Sequence, residues 1–200
     1  TKCASNRGLA EVLDETTPVV LSTPPTTPQT SCDPAAPNGA ASISVTSPAG
    51  VYTFEWYAGL DTTTAPISTV ALISGKSPGS YTAKAFNTET GCTETALVVI
   101  DNLQAEPVLS LTATDNQICD EDLVYNGSVS STLTSNPNFQ AGHVLTYTWK
   151  RNAVVTGETT SSISEVDGGT YTASVRNETL GCESDEVSIV VNNDFDLPQI

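Results

Sequence analysis

Tyr81–Cys92 reads YTAKAFNTETGC, and Tyr171–Cys182 reads YTASVRNETLGC. Six of the twelve positions are identical, and the stretches lie 90 residues apart. Other landmarks keep the same period: Trp56 and Trp149 are 93 apart, Cys32 and Cys119 are 87 apart, and Pro18 and Pro107 are 89 apart. Self-similarity at a fixed period marks a repeat architecture, with small differences in spacing absorbed by loops. Phase follows from the same landmarks. Cys3 precedes Pro18 by 15 residues, as Cys92 precedes Pro107, and Pro198 follows Pro107 by 91. Residues 1–17 therefore read as the closing strand and linker of a preceding module, 18–106 and 107–197 as two complete modules, and 198–200 as the start of another. The expectation is a window onto a longer array. Met is absent even at position 1, which suits a processed product or a slice of a longer chain.

Within each repeat, apolar and polar residues alternate between Gly, Pro and Asn punctuation, the pattern of short half-buried strands. Tyr52, Phe54 and Trp56 alternate with Thr53, Glu55 and Tyr57; Leu145, Tyr147 and Trp149 alternate with Thr146, Thr148 and Lys150. Residues 41–45 and 128–133 supply the preceding strand. Tyr81–Asn87 followed by Cys92–Ile100, and the twin at 171–191, read as closing hairpins. Alternation of this kind gives one buried and one wet face, as in antiparallel sandwiches. Trp56, Tyr81, Trp149 and Tyr171 are the predicted core, and Tyr57 falls on the wet face.

A Trp on the third strand and Asp167-Gly-Gly-Thr-Tyr171, with Ser77-Pro-Gly-Ser-Tyr81 as its looser twin, resemble the immunoglobulin fold and its tyrosine corner. The predicted class is all-β: two tandem immunoglobulin-like antiparallel β-sandwich modules, end to end. Ala83 and Ala173 stand where antibody domains carry the second core cysteine, so these cysteines serve another purpose. The ordered set Cys32, Asn38-Gly39, Phe54, Trp56, Gly79, Tyr81, Gly91-Cys92 recurs as Cys119, Asn126-Gly127, Tyr147, Trp149, Gly169, Tyr171, Gly181-Cys182. It resembles the SprB-type and related repeats of Bacteroidota gliding and cell-surface adhesins. That resemblance implies a giant secreted surface protein of many modules, exported by the type IX system.

In an immunoglobulin topology, Cys32 lies between the first two strands, at one pole, and Cys92 opens the last strand at the other. Six or seven strand residues separate the poles by roughly 20 Å, whereas a disulfide tolerates Cα atoms up to about 7 Å apart. In an end-to-end array, one module's C-terminal pole meets the next module's N-terminal pole. Cys32–Cys182 is therefore the expected bond, a staple between modules, with Cys92 and Cys119 bonded to further modules. Pairing within modules, Cys32–Cys92 and Cys119–Cys182, is the alternative, because the loop after each first cysteine could relocate it.

The chain of 200 residues carries 23 acidic against 7 basic side chains, a net charge of −16. Nucleic-acid binding needs clustered Lys and Arg, and anionic lipid likewise attracts basic segments, so neither partner is expected. No apolar run approaches the ~20 residues of a membrane span, so membrane insertion is not expected either. His143, the sole histidine, has no catalytic motif around it and reads as a strand-end surface residue. Gly75-Lys76-Ser77 lacks the spacing of a phosphate loop and reads as a turn. Trp56 and Trp149 read as core rather than sugar platforms. Lys84 reads as outward, against an isopeptide role.

Carboxylates gather at the junctions (Asp14, Glu15, Asp101, Glu106, Asp194, Asp196) and at Asp120-Glu121-Asp122. Calcium takes six to eight oxygens, so the junctions are candidate calcium sites, with solvated acidic loops as the plain alternative. Otherwise no cofactor or metal site is expected. Asp61-Thr62-Thr63 resembles the Bacteroidota O-glycosylation triplet, making Thr62 a candidate glycan site; Asn126 and Asn177 head N-glycan sequons.

These features predict a non-enzymatic structural or adhesive segment of a secreted stalk or filament at the cell surface. Its partners would be neighbouring modules of the same chain, other copies in a filament, and surface glycans. The alternatives are a glycan- or protein-binding sandwich using loops 57–70 and 134–143, and a self-assembling filament subunit.

Overall fold

The structure is a computed structural model and describes residues 17–195, in which all regular elements are strands. The expectations that fall on 1–16 and 196–200, including Cys3, Asp14, Glu15 and Asp196, lie outside the described residues. The chain divides into two compact units. Of the described residues, one takes those up to Pro25 with Ala41–Ile73 and Ser80–Val98; the other takes Thr26–Ala40, Ser74–Gly79 and those from Val99.

In the second unit, β8 (Val108–Thr114), β9 (Gly127–Ser135) and β12 (Ser162–Val166) form one antiparallel sheet in the order β12-β9-β8. The other sheet is built on β13 (Gly169–Asn177). It pairs β10 (Leu145–Arg151) on one edge, and β14 (Cys182–Glu183) and β15 (Val187–Val191) on the other. The short β11 (Val154–Val155) returns on β10 through a two-residue turn whose Asn152 and Ala153 both have positive φ, the backbone that fits strand twist in tight hairpins. Leu109, Val129, Ile163 and Val166 of the first sheet meet Trp149, Tyr171, Ala173, Val175 and Val191 of the second in one core. Trp149 is fully buried, and its indole N–H donates to the Thr160 carbonyl at 2.8 Å. The Tyr171 hydroxyl donates to the Asp167 carbonyl at 2.9 Å, closing the corner read from the sequence.

The remaining strands are β1 (Val20–Ser22), β2 (Gly39–Ser42), β3 (Ser44–Ser47), β4 (Tyr52–Ala58), β5 (Leu72–Lys76), β6 (Gly79–Asn87) and β7 (Thr93–Ile100). Their sheets run β4-β6-β7, β1-β3 and β2-β5. The single strand expected over 41–45 is broken at Ile43, so that β2 and β3 divide between them the two pairings that β9 carries alone. Trp56 is fully buried and donates its indole N–H to the Val70 carbonyl at 2.9 Å, as its twin does to Thr160. Tyr81 is 8% exposed and Ala83 and Ala85 are fully buried.

Two local expectations fail. Tyr57, placed on the wet face by alternation, is only 5% exposed. A tyrosine can lay its ring along a sheet face and leave only the polar tip wet. Here the hydroxyl donates to Glu55 Oε2 at 2.6 Å, and Lys84 Nζ sits 3.2 Å from the same oxygen. The Tyr57 hydrogen bond, then Lys84, holds the Glu55 carboxyl below its usual range, and the bond to Glu55 pushes the Tyr57 phenol up. Gly75-Lys76, read as part of a turn, lies in β5, where Gly75 has φ 62°.

The twin of Gly75 is Glu165, with φ 60° at the irregularity between Ser164 and Val166 where β12 bulges against β9. A bulge residue in the left-handed region favours glycine, because a Cβ crowds the following carbonyl at a cost of about 1 kcal/mol or more. Glu165→Gly should therefore raise the stability of the second unit by about 1 kcal/mol in urea unfolding; unchanged or lower stability would show that Glu165 bears no backbone strain.

Candidate functional site: a disulfide joint between the two repeats

Thr26–Ala40 arrives in the second unit as a built loop. Gln29, 2% exposed, accepts from the Asn38 and Gly39 N–H groups on Oε1 and donates from Nε2 to the Ser31 carbonyl. Asn38 Oδ1 accepts from the Thr30 and Ser31 N–H groups. Asp33 closes an Asx turn by accepting the Ala35 N–H at 2.9 Å. A buried polar side chain such as Gln29, with both ends of its amide bonded, holds a loop in one conformation. Gly39 has no room for a side chain: a Cβ there would lie 2.5 Å from the Lys76 carbonyl oxygen.

Facing this loop is the turn that ends β13. Asn177 is fully buried; its Oδ1 accepts from the Thr179 and Leu180 N–H groups, and its carbonyl from Gly181. Gly181 takes φ 70°, and a Cβ on it would come within 3.0 Å of Asp33 Cβ. Loop and turn are joined by the Cys32–Cys182 disulfide, with Cα atoms 4.9 Å apart. Cys32 N–H donates to the Leu180 carbonyl at 2.7 Å, and the Ser31 hydroxyl to the same oxygen at 3.2 Å. Leu180 and Cys182 are buried. The linker adds one more strut, from Gln104 Nε2 to the Ser31 carbonyl. The bond thus joins a loop of the first sequence repeat to a turn of the second, and both ends belong to one compact unit. The within-repeat pairings Cys32–Cys92 and Cys119–Cys182 are not formed; Cys92 and Cys119 carry free thiols.

The chain is similar in fold to the three N-terminal domains of the highly immunogenic outer capsid protein Hoc of bacteriophage RB49, with a TM-score of 0.50 and 16% identity. The match covers 88% of this chain and 59% of that one, so the chain spans just over half of that structure's length. The fold is that of tandem immunoglobulin-like β-sandwiches. Fibronectin(III)-like modules of Clostridium thermocellum CbhA (TM-score 0.32, 16% identity, 88% of this chain and 94% of that one) are also similar. So is a structure solved for Dscam isoform specificity (0.31, 18%, 87% and 46%). No protein-family model matches the chain, and no curated protein does.

The other sequence-derived candidates sit as follows. Thr62 is exposed, in a loop where Asp61 Oδ1 accepts from both the N–H and hydroxyl of Thr63, bonds that lower the Asp61 pKa. Asn126 is exposed, but its Oδ1 accepts from the Gln117 N–H. The Asn177 sequon is overturned as a glycan site, since that amide is buried inside its turn. His143 lies edge-on to Phe139, with Nδ1 3.2 Å from Asn177 Nδ2. Among the described residues, no three His, Cys, Asp or Glu side chains converge as a metal site. Among the described residues, no helix is long and apolar enough to cross a membrane.

A pocket of about 570 Å³ opens beside β12, lined by Tyr125, Arg151, Glu158, Glu165 and Asp167 among others. Arg151 Nη2 donates to Asp167 Oδ2 at 2.6 Å and to the Gly168 carbonyl at 2.7 Å. Desolvation pushes the Asp167 carboxyl up. The bonds from Arg151, the Gly168 N–H and Asn193, with the Arg151 charge, outweigh it and leave the pKa lowered. A carboxylate with a depressed folded pKa adds stability above its unfolded value near 4, lost as pH falls through the folded one. Urea titrations should show wild type losing stability below about pH 4 more steeply than Asp167→Asn. Equal slopes would show that the pair contributes nothing.

Asn177 and Gln29 were missed in the sequence as organisers of this joint, as was Asn116 as the counterpart of Gln29 before Cys119. The signal was present: Asn87 and Asn177 recur five residues before Cys92 and Cys182, and Gln29 and Asn116 each stand three before a cysteine.

Proposed function

We propose that the chain is a structural and adhesive repeat segment of a large secreted stalk or filament at the cell surface, of the kind the SprB-type repeats build. The observation that carries this reading is the Cys32–Cys182 bond. It ties consecutive repeats rather than the two sheets of one sandwich, which is where a disulfide serves an extended array under load. Structural disulfides belong to oxidising compartments, and a net charge of −16 favours a soluble, self-repelling fibre. Antibody raised against the chain should label intact, unpermeabilised cells of its source, and brief external protease should remove the label. Label seen only after permeabilisation would overturn the reading.

The pocket beside β12 favours a second reading, a glycan-binding module, since Arg151, Glu165 and Asp167 converge with Tyr125 there. Binding on a glycan array that is lost in Arg151→Ala would favour it over a purely structural role.

A further inference from the structure

Cys92 and Cys119 are the free thiols among the described residues, and each stands at the position in its repeat that is bonded in the other. The surroundings share most of their bonds. Around Cys119, Asn116 Oδ1 accepts from the Asn126 N–H and its Nδ2 donates to the Ile118 carbonyl, as Gln29 Oε1 accepts from Asn38 and its Nε2 donates to the Ser31 carbonyl. Asp120 accepts the Asp122 N–H on Oδ1 at 3.0 Å and the Leu123 N–H on its carbonyl at 3.1 Å; Asp33 does both for Ala35 and Ala36. Before Cys92, Asn87 Oδ1 accepts from Glu89 and Thr90, and Gly91 donates to the Asn87 carbonyl with φ 76°, as Gly181 does to Asn177.

What differs is cover. At the formed joint, Ser31, Leu180 and Cys182 are buried; at the twin positions, Ile118 and Cys92 are half-buried, and Thr90 and Cys119 are exposed. A Cβ on Gly181 would meet Asp33, whereas one on Gly91 would meet nothing within 4 Å. The geometry points to the Cys119 loop and the Cys92 turn as the two open halves of the joint that Cys32 and Cys182 close, each taking the complementary half of another module of this kind. For the isolated chain, the occupant of both is a second copy, joined head to tail by a Cys119–Cys92 disulfide.

The redox step balances with a disulfide oxidant such as glutathione disulfide. The Cys92 thiolate attacks one glutathione sulfur, forming a mixed disulfide and expelling one glutathione thiolate. The Cys119 thiolate of the other copy then attacks the Cys92 sulfur and expels the second. Two cysteines are oxidised, one glutathione disulfide is reduced, and the two protons leave with the two glutathione thiols.

This inference rests on the array reading and names its partner. The test uses the whole chain with Cys3→Ser, held in a reduced/oxidised glutathione buffer and examined by non-reducing electrophoresis and peptide mapping. The expected result is a ladder of linked chains in which the Cys92–Cys119 peptide exceeds Cys119–Cys119 by about tenfold, although thiol exposure alone favours the latter. Cys92→Ser and Cys119→Ser should each abolish the ladder. Chains that stay monomeric, or that link chiefly through Cys119–Cys119, would overturn it. The same map separates the two claims: a missing head-to-tail peptide with Cys32–Cys182 intact sinks only this inference, and a missing Cys32–Cys182 peptide sinks the array reading as well.

Discussion

Pulled from its two ends in a single-molecule force experiment, the oxidised chain should hide the residues between Cys32 and Cys182, and reductant should release them in one added length. The bond spans a sequence separation of 150 residues. At about 3.5 Å per extended residue, that is roughly 500 Å of contour. While the bond holds, tension entering before Cys32 crosses the two sulfurs and leaves after Cys182. The strands from β2 to β13 then lie off the force path, and only the flanking chain lengthens. Cys32→Ser should show the full extension without reductant. Equal lengthening in oxidised and reduced samples would show that the bond does not carry load. In the chain-entropy account the same cross-link contributes up to about 5 kcal/mol against complete unfolding, because a loop this long loses much freedom when closed.

Trp149→Ala should cost about 3–5 kcal/mol of the second unit's stability, the range for truncating a large buried aromatic and leaving its cavity unfilled. Trp149 is fully buried in a core drawn from both sheets of its sandwich, and its truncation also strands the Thr160 carbonyl that its indole satisfies. Domains hold only about 5–15 kcal/mol in total, so the variant should unfold at a far lower urea concentration. The protein has two tryptophans, so Trp56 remains as a fluorescent reporter on the first unit while circular dichroism follows the whole. Trp149→Phe should cost less, since it keeps most of the volume. A loss below about 1 kcal/mol for the alanine variant would contradict the packing described here.

The sequence by itself determined the period, the strand content and the sandwich class. Period-2 alternation and a twelve-residue motif repeated 90 positions on are local properties, readable without contacts. Tyr171 and its corner were legible for the same reason: the corner is a hydrogen bond across four residues. The tertiary structure alone decided three things. Alternation names a face but not whether a ring lies flat along it, so the burial of Tyr57 against Glu55 and Lys84 had no sequence signature. Covalent order says nothing of which contacts prevail, and so Thr26–Ala40, sequence of the first repeat, belongs to the second compact unit. Finally, the poles of a sandwich favoured the Cys32–Cys182 staple but left pairing within modules open. A disulfide is a contact of a few ångströms between residues 150 apart, and only the folded backbone sets that distance: 4.9 Å between the Cα atoms of Cys32 and Cys182, where the Asn177 turn meets the Gln29 loop.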